Sequence, residues 1–161
     1  MSEIVIRIIS AAETRPIRHL VLRPHQPLET LVYPGDDAPD SLHVGAFLDG
    51  ALAGIASVSR QSFAGAPDLD AWQLRGMATL PNVRRMGCGA ALVRACIAHV
   101  EANNGAALWC NGRTSALRFY RALGFETRGE EFMTPETGPH FVMWRAIGVH
   151  EAAEACVMDE E

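Results

Sequence analysis

The chain has 161 residues, of which 48% are hydrophobic and 20% are charged. This composition is typical of one globular domain with a core of normal size, and it excludes disorder as the main state. The formal net charge of −5 argues against a general nucleic-acid-binding surface, because such surfaces have a basic excess, so any phosphate site must be local.

The first part of the chain predicts a strand, a helix and a long loop. A β-branched run from Ile4 to Ile9 indicates the strand. Ser10 is followed three residues later by Glu13, the arrangement of a capping box, so a helix should begin there and stop near Arg23-Pro24. The proline-rich residues 24–40 predict a loop with at most one short helix.

A hairpin and a third strand follow. His43 to Leu48 and Ala51 to Arg60 flank Asp49-Gly50, a dipeptide that favours the positive backbone angles of a two-residue turn. Leu69 to Leu80 is a further strand candidate, and Gly76 inside it indicates a bulge or a close approach by a ligand.

The remaining elements alternate between helix and strand. Apolar residues at helical spacing predict a helix from Gly87 to about Ala102, which Asn103-Asn104-Gly105 should stop. The elements after it are a short buried strand at Ala106 to Cys110, a helix at Thr114 to Leu123 closed by Gly124, and strands at Phe125 to Arg128 and His140 to Ala146. The predicted order is β-α-β-β-β-α-β-α-β-β, in one domain over residues 1–148 with an acidic tail over 149–161.

Cysteine and apolar patterns predict the compartment. Cys88, Cys96, Cys110 and Cys156 form no CxxC pair, so neither a disulfide framework nor a metal site is indicated. No apolar run approaches the ~20 residues that cross a bilayer, and the chain starts with an acid and not with a basic signal segment. We expect a cytoplasmic protein without membrane or nucleic-acid partners, and a homodimer is compatible with the sequence.

One loop has the character of an anion site. Arg84, Gly87 and Gly89 lie between a strand and a helix, where unpaired backbone N–H groups and the helix dipole favour a pyrophosphate. By itself the pattern is equally compatible with a helix start that only needs flexible residues. A Walker loop is disfavoured because no Lys-Ser/Thr follows the second glycine, and Leu92 replaces the third glycine of a dinucleotide fingerprint.

Two segments together resemble a known family. Arg84-x-x-Gly87-x-Gly89 resembles the Gln/Arg-x-x-Gly-x-Gly/Ala signature of the GNAT N-acetyltransferase superfamily, and Ala116-x-x-Phe119-Tyr120-x-x-x-Gly124-Phe125 is similar to a second element of that family. The resemblance covers Glu3 to about Ala146. It implies an α/β (α+β) fold with a mixed, mostly antiparallel central sheet flanked by helices, splayed between the fourth and fifth strands, with acetyl-CoA as co-substrate.

The resemblance also implies site residues. The positions expected along the pantetheine and thioester are Met77, Ala78 and Thr79, and those expected around the pyrophosphate are Arg84, Arg85, Met86, Gly87, Cys88, Gly89 and Ala90. Many relatives have an asparagine where this chain has Arg113; Arg113 and the nearby Asn111 are expected at a helix entrance, facing the cofactor.

Tyr120 is the expected general acid of an N-acetyltransferase that uses a small-molecule or peptide amine. A phenol with a pKa of about 10 is protonated at neutral pH and can protonate a thiolate leaving group. A backbone N–H near Met77 would stabilise the oxyanion formed when the amine attacks the thioester. The structural alternative is that Tyr120 only packs beside Phe119. The functional alternative is a non-catalytic acyl-CoA sensor or partner-binding domain, since no general base stands out.

Other polar residues have competing interpretations. Glu131 and His140 are candidate bases, although a solvated or structurally bonded role is favoured for each. Arg75, with Arg23 or His25, could hold a substrate carboxylate, but a salt bridge is favoured. The acids available for that salt bridge are Asp36, Asp37 and Asp40. Cys88, at a helix N-terminus, could have a lowered thiol pKa, although a small packing residue is the commoner role.

Overall fold

The computed structural model describes residues 3–63, 66–135 and 137–147. Their elements follow the order predicted from the sequence. The strands are β1 (Ile4–Ile8), β2 (Leu42–Leu48), β3 (Ala51–Arg60), β4 (Ala71–Thr79), β5 (Ala107–Arg113), β6 (Glu126–Thr134) and β7 (Gly138–Ala146). The α-helices are α1 (Ala11–Ile17), α2 (Cys88–Ala102) and α3 (Leu117–Ala122), with shorter helical turns at Arg18–Leu22, Leu28–Thr30, Pro81–Val83 and Thr114–Ala116.

The strands form a mixed sheet in the order β1-β2-β3-β4-β5-β7-β6. β4 and β5 are parallel, and the other neighbouring strands are antiparallel. The parallel ladder pairs Ala71 with Ala107, Trp72 with Leu108 and Gln73 with Trp109. The predicted mixed, mostly antiparallel sheet flanked by helices is therefore confirmed.

The described residues group into two compact units. The first comprises residues 3–60 and 74–99. An apolar cluster of Ile9, Ile17, Ile55 and Ala78 joins α1 to its strands. On α2, the stripe predicted from the helical spacing is buried at Leu92, Val93, Cys96, Ile97 and Val100, the last of which belongs to the second unit.

The second unit comprises the described residues of 61–73 and 100–147. Phe63, Ala71 and Ala107 form its buried cluster, against which Trp109 and Trp144 pack. The ring centroids of Phe63 and Trp109 are 5.7 Å apart. At the end of this unit, the Ile147 N–H donates to the carbonyl of Ala106, and the Ile147 side chain is buried.

Local sequence signals fixed several boundaries. Ser10 and Glu13 form the predicted capping box, with the Glu13 N–H donating to Ser10 Oγ at 3.1 Å and the Ser10 N–H donating to Glu13 Oε1 at 2.7 Å. Asp49 and Gly50 adopt φ angles of 51° and 88° in the hairpin turn. The helix stop is also confirmed, because Asn104 has a φ of 60° and the Gly105 N–H returns to the carbonyl of Val100.

Two strands extend well past their predicted C-terminal ends. β5 continues three residues beyond Cys110, because its whole length pairs with β7. β6 continues past Arg128 to Thr134, with an irregular register between Arg128 and Phe132 and a φ of 81° at Gly129. Pairing with β7 therefore extends both elements beyond what their local polarity indicates.

Candidate acyl-CoA site

The loop before α2 has a backbone suited to an anion. Arg85 and Gly87 have φ angles of 70° and 79°. At the start of α2, the Ala91 N–H donates a hydrogen bond to the carbonyl of Gly87. The N–H groups of a helix's first turn have no partners within the helix and point away from its start. Arg84 and Arg85 are exposed, and Arg84 Nη2 donates to the carbonyl of Thr79 at 3.1 Å. The loop thus combines two cations with backbone donors.

The first turn of α2 is seated closely on β3. A Cβ added to Gly54 would lie 3.0 Å from Cys88 Sγ, 3.1 Å from Leu92 Cδ1 and 3.2 Å from Thr79 Cγ2. Cys88 is 1% exposed, and burial raises the pKa of its thiol. The suggestion that the helix N-terminus lowers the pKa of the Cys88 thiol was therefore wrong, because burial disfavours the charged thiolate and raises this pKa. Cys88 fixes the helix by packing.

The three expected pantetheine positions lie in the last part of β4. Ala78 packs in the cluster with Ile17 on the α1 side, and the Thr79 side chain lies against Gly54. Met77 is half-buried. Gly76 precedes them with a φ of 61°, so the backbone is irregular at the position where the sequence predicted a bulge or close approach.

Tyr120 is held by aromatic packing and a hydrogen bond. It lies on α3, is 6% exposed, and makes edge-to-face contacts with Phe119 and Phe125 at centroid distances of 5.0 and 5.4 Å. Burial raises the pKa of Cys110 to about 12, and a hydrogen bond from Tyr120 opposes that rise. The phenol is thus oriented by its neighbours, an arrangement that suits both a core residue and a positioned acid.

Asn111 and Arg113 are placed differently from each other. Arg113 ends β5 and precedes the helical turn at Thr114–Ala116, as expected for a helix entrance. Asn111 lies inside β5, exposed and paired with Val142, because the strand is longer than predicted. The expectation of a helix entrance was therefore right for Arg113 and wrong for Asn111.

Both candidate bases have structural partners. Glu131 accepts a hydrogen bond from Thr114 Oγ1 at 2.7 Å. His140 is buried, stacks on Phe132 and places Nδ1 2.8 Å from the carbonyl of Gly138. These contacts agree with the structurally bonded roles that the sequence favoured.

Arg75 lacks the salt bridge that the sequence favoured. Among residues 3–63, 66–135 and 137–147, Asp36 pairs with Arg18 and Asp40 with Arg60, and no acid forms an ion pair with Arg75. Its guanidinium instead lies over the ring of Tyr33, with 4.6 Å between the guanidinium carbon and the ring centroid.

Sequence reasoning missed the buried pair of Arg18 and Asp36. Arg18 is 0% exposed, and its Nη1 lies 2.7 Å from Asp36 Oδ2. Helical spacing contained the signal, because Arg18 shares one stripe with apolar and small side chains at intervals of three and four. The members of that stripe are Thr14, Ile17, Arg18, Val21 and Leu22. A cation on such a stripe indicates a buried anionic partner.

In the described part of the chain, no three His, Cys, Asp or Glu side chains are grouped as a metal ion would need. None of the helices there is long and apolar enough to cross a membrane. The loop at the start of α2, with its backbone donors and its two arginines, suits a phosphate-bearing ligand.

Comparison with known proteins identifies the family. The Acetyltransferase (GNAT) family model matches residues 9–125. An uncharacterized N-acetyltransferase of Bacillus subtilis, YitI, is 39% identical over 142 residues, which are 88% of this chain and 95% of that protein. The chain therefore belongs to the GNAT acetyltransferase family.

Solved structures show the same fold. The ribosomal-protein-S18-alanine N-acetyltransferase of Escherichia coli aligns with a TM-score of 0.72 and 20% identity, over 91% of this chain and 96% of that one. An aminoglycoside 6'-N-acetyltransferase complexed with coenzyme A aligns with a TM-score of 0.68 and 14% identity, over 88% and 96%.

Family membership makes the chain an acyltransferase that uses acetyl-CoA. The residues of the loop fit such a co-substrate. A Cβ added to Gly87 would meet no atom within 4 Å, so the backbone there is open to a phosphate. Arg84 and Arg85 supply local positive charge in a chain whose net charge is −5.

Proposed function

We propose that this acetyltransferase transfers the acetyl group of acetyl-CoA directly to a primary amine, with Tyr120 as the general acid. The observation that supports the donor half is the loop backbone at Arg85 and Gly87, which leaves the first turn of α2 open. Arg84 to Ala90 would bind the pyrophosphate, while Met77, Ala78 and Thr79 would lie along the pantetheine. Asn111 and Arg113 would contact cofactor or substrate.

The reaction needs no acyl-enzyme. The neutral amine nitrogen attacks the thioester carbon, and a backbone N–H near Met77 stabilises the resulting oxyanion. The C–S bond then breaks with its electron pair on sulfur, and Tyr120 gives its proton to that thiolate. The attacking nitrogen loses a proton to water, and water returns a proton to the Tyr120 phenolate, so that the phenol is restored. The products are an N-acetylated amine and coenzyme A with a free thiol.

The contacts of Tyr120 support a positioned acid. Phe119 and Phe125 restrict its ring, and Cys110 accepts from its hydroxyl. A weakly accepting sulfur leaves the phenol proton transferable, because a thiol is a poor competitor for it. The homodimer, the cytoplasmic location and the single domain over residues 1–148 stay predictions.

Replacing Tyr120 tests the acid. Tyr120→Phe should lower kcat by about 10²-fold or more, the usual contribution of a general acid, without changing the affinity for acetyl-CoA. Thiol release from acetyl-CoA in the presence of a panel of amines measures turnover, and fluorescence titration measures acetyl-CoA affinity.

Cys110→Ala is the matched control, because it removes the same hydrogen bond and keeps the phenol. It should retain most of the activity. Equal losses in both variants would assign the effect to the shared contact, and unchanged turnover of Tyr120→Phe from neutral to alkaline pH would show that Tyr120 is not the acid.

A further inference from the structure

Arg75 is a half-buried cation held by stacking. It precedes Gly76 on β4 and lies over Tyr33, the ring on which Arg18 also stacks with 3.9 Å from guanidinium carbon to centroid. Burial is the main cause that lowers the pKa of Arg75; Tyr33 and the charge of Asp36 oppose this shift, and the charges of Arg18 and Arg23 add to it. An arginine stays charged under such a shift, so a desolvated positive charge remains at this position.

Asp36, the acid whose charge acts on Arg75, is hydrogen-bonded to other groups. Asp36 Oδ2 accepts from Arg18 Nη1 at 2.7 Å and from the Tyr33 N–H at 2.9 Å, and Oδ1 accepts from Arg18 Nη2 at 3.0 Å. The Asp36 side chain is 3% exposed. This two-bond fork is the strongest form of a carboxylate–arginine contact, so Asp36 is hydrogen-bonded to Arg18, and its charge offsets that of Arg75 only from a distance.

A surplus of positive charge follows. The local charges are three positive ones, from Arg18, Arg23 and Arg75, and one negative one, from Asp36. Their sum is +2, although the net charge of the chain is −5. Arg23 Nη1 donates only to the neighbouring carbonyl of Leu22 among the described residues. Such a local field attracts an anion and repels a cation.

The platform beneath Arg75 is tightly packed. A Cβ added to Gly76 would lie 3.2 Å from both Arg18 Nε and Tyr33 Cε2, and the φ of 61° already favours glycine. Gly76 therefore lets the backbone of β4 approach Arg18 and Tyr33 closely. Arg75 is on a strand and stacks on a half-buried ring that Arg18 also contacts, an arrangement that reduces the entropy lost when it binds a ligand.

We propose that the acetyl acceptor is an amine that bears a carboxylate, and that Arg75 together with Arg23 binds this carboxylate. The inference rests on the proposed function, in which Met77 lies at the thioester. Arg75 is two residues earlier on the same strand, at most about 7 Å away along the backbone, so a compact amino acid or peptide end can reach both. Polycationic amines are excluded by the same positive field.

Matched substrates test the inference. Amino acids and their carboxamides share an amine and a side chain but differ in the carboxylate. In Arg75→Gln the KM for a carboxylate-bearing substrate should rise about 10- to 100-fold, as expected for the loss of a charged hydrogen bond, while the KM for its carboxamide changes little. Arg75→Lys should recover part of the loss, since it keeps the charge without the planar fork.

Arg94→Gln is the matched control, because Arg94 is exposed on α2, and its kinetics should equal those of the unmodified protein. Equal KM changes for acid and carboxamide in Arg75→Gln would overturn the inference. So would a preference of the unmodified enzyme for carboxamides or polyamines.

A binding measurement separates this inference from the proposed function. Calorimetric titration of the protein with the common L-amino acids and their carboxamides, in the presence of coenzyme A, requires no turnover. Tighter binding of the acids that Arg75→Gln abolishes supports the inference even if no amine is acetylated, an outcome that would instead refute the proposed transfer. Equal binding of acids and carboxamides refutes the inference even if acetyl transfer is observed.

Discussion

Gly87 and Gly50 have nearly the same backbone conformation for different reasons. Their φ angles are 79° and 88°, and a Cβ added at either position meets no atom within 4 Å. Gly50 serves the turn between β2 and β3, whereas Gly87 belongs to the loop proposed to bind pyrophosphate. Comparing substitutions at Gly50 and Gly87 therefore distinguishes an effect of backbone strain from an effect of lost ligand contact.

Alanine at each glycine should give equal strain but unequal binding. Gly87→Ala and Gly50→Ala should each lower the free energy of unfolding by about 1–2 kcal/mol, which is the cost of placing an L-residue in the left-handed backbone conformation. Only Gly87→Ala should weaken acetyl-CoA binding, by about 10-fold or more, equivalent to about 1.4 kcal/mol. Urea denaturation and acetyl-CoA titration measure the two quantities, and equal affinities in both variants would contradict a phosphate at Gly87.

The buried pair of Arg18 and Asp36 leads to a second prediction. Asp36→Asn leaves Arg18 charged and without a carboxylate, so the free energy of unfolding should fall by about 3–5 kcal/mol. Asp40→Asn is the matched control, because the side chains of Asp40 and Arg60 are 38% and 45% exposed. Its loss should stay below about 1 kcal/mol. Urea denaturation at pH 7 compares them, and similar losses would mean that burial adds nothing to the pair.

Acid should abolish the contribution of Asp36. Burial alone would raise the pKa of Asp36, but hydrogen bonds from Arg18 and the Tyr33 N–H, with the charge of Arg18, outweigh it and lower the pKa. A carboxyl whose folded pKa is lowered stabilises the fold fully above its unfolded pKa of about 3.9. This stability is lost as pH falls through the folded pKa. The advantage of the unmodified chain over Asp36→Asn should therefore shrink below about pH 4 in acid denaturation curves.

Elements with strong local signals were predictable, and elements defined by pairing were not. The capping box of Ser10 and Glu13 and the Asp49-Gly50 turn are determined by neighbouring residues, so sequence reasoning located α1 and the hairpin correctly. β6 has exposed acids and a register shift, and its partners lie on β7, the next strand of the chain. Its full length followed from that pairing and not from its own hydrophobic pattern.

Cys96, in the buried stripe of α2, leads to a prediction about stability at alkaline pH. Cys96 is 0% exposed, and burial raises the pKa of its thiol to about 12. An unfolded thiol ionises at about 8.5, so the folded state holds more protons between these values, and stability falls as pH rises through this window. The loss for Cys96 can reach about 1.4 kcal/mol for each pH unit.

Cys96→Ala removes this ionisation. At pH 8 the variant should be less stable by about 1–2 kcal/mol because of the lost sulfur volume. Between about pH 9 and 12 the difference from the unmodified chain should narrow and then reverse, while Cys110 and other groups ionise equally in both. Denaturant titrations at pH 8, 9.5 and 11 measure it. Parallel stability curves would show that the Cys96 thiolate is tolerated in the folded chain.

At the scale of the whole molecule, the family and the fold could be predicted from the sequence, because two motifs occur in the order typical of one family and the ten predicted helices and strands fit the same fold. The candidate acid Tyr120 and the loop at Gly87 came from those motifs. The motifs did not indicate Arg18 and Tyr33. Arg18 contacts Asp36 and Tyr33, and Tyr33 contacts Arg75 on β4, and each of these contacts joins residues at least 15 positions apart. Recognition of the donor is local in sequence, whereas the inferred recognition of the acceptor depends on the folded chain.

The end of the domain provides the last prediction. The Ile147 N–H donates to the carbonyl of Ala106, and the Ile147 side chain is 1% exposed, so the sheet needs this residue. Residues 149–161, which lie outside the described residues, hold five acids and no Lys or Arg, and this composition predicts a solvated or partly helical extension of the domain. A chain ending at residue 148 should therefore unfold at the same urea concentration as the full chain and bind acetyl-CoA equally well.

A chain ending at Ala146 is the matched control for that deletion. It differs from the first by two residues and loses a buried isoleucine with its backbone hydrogen bond, so its free energy of unfolding should fall by about 2–5 kcal/mol. Saturating acetyl-CoA, at about 100 times its Kd, should stabilise each chain that still binds it by about 2.7 kcal/mol. If ending the chain at residue 148 removes stability or this ligand effect, residues 149–161 belong to the working domain, because the core before them is intact in that chain.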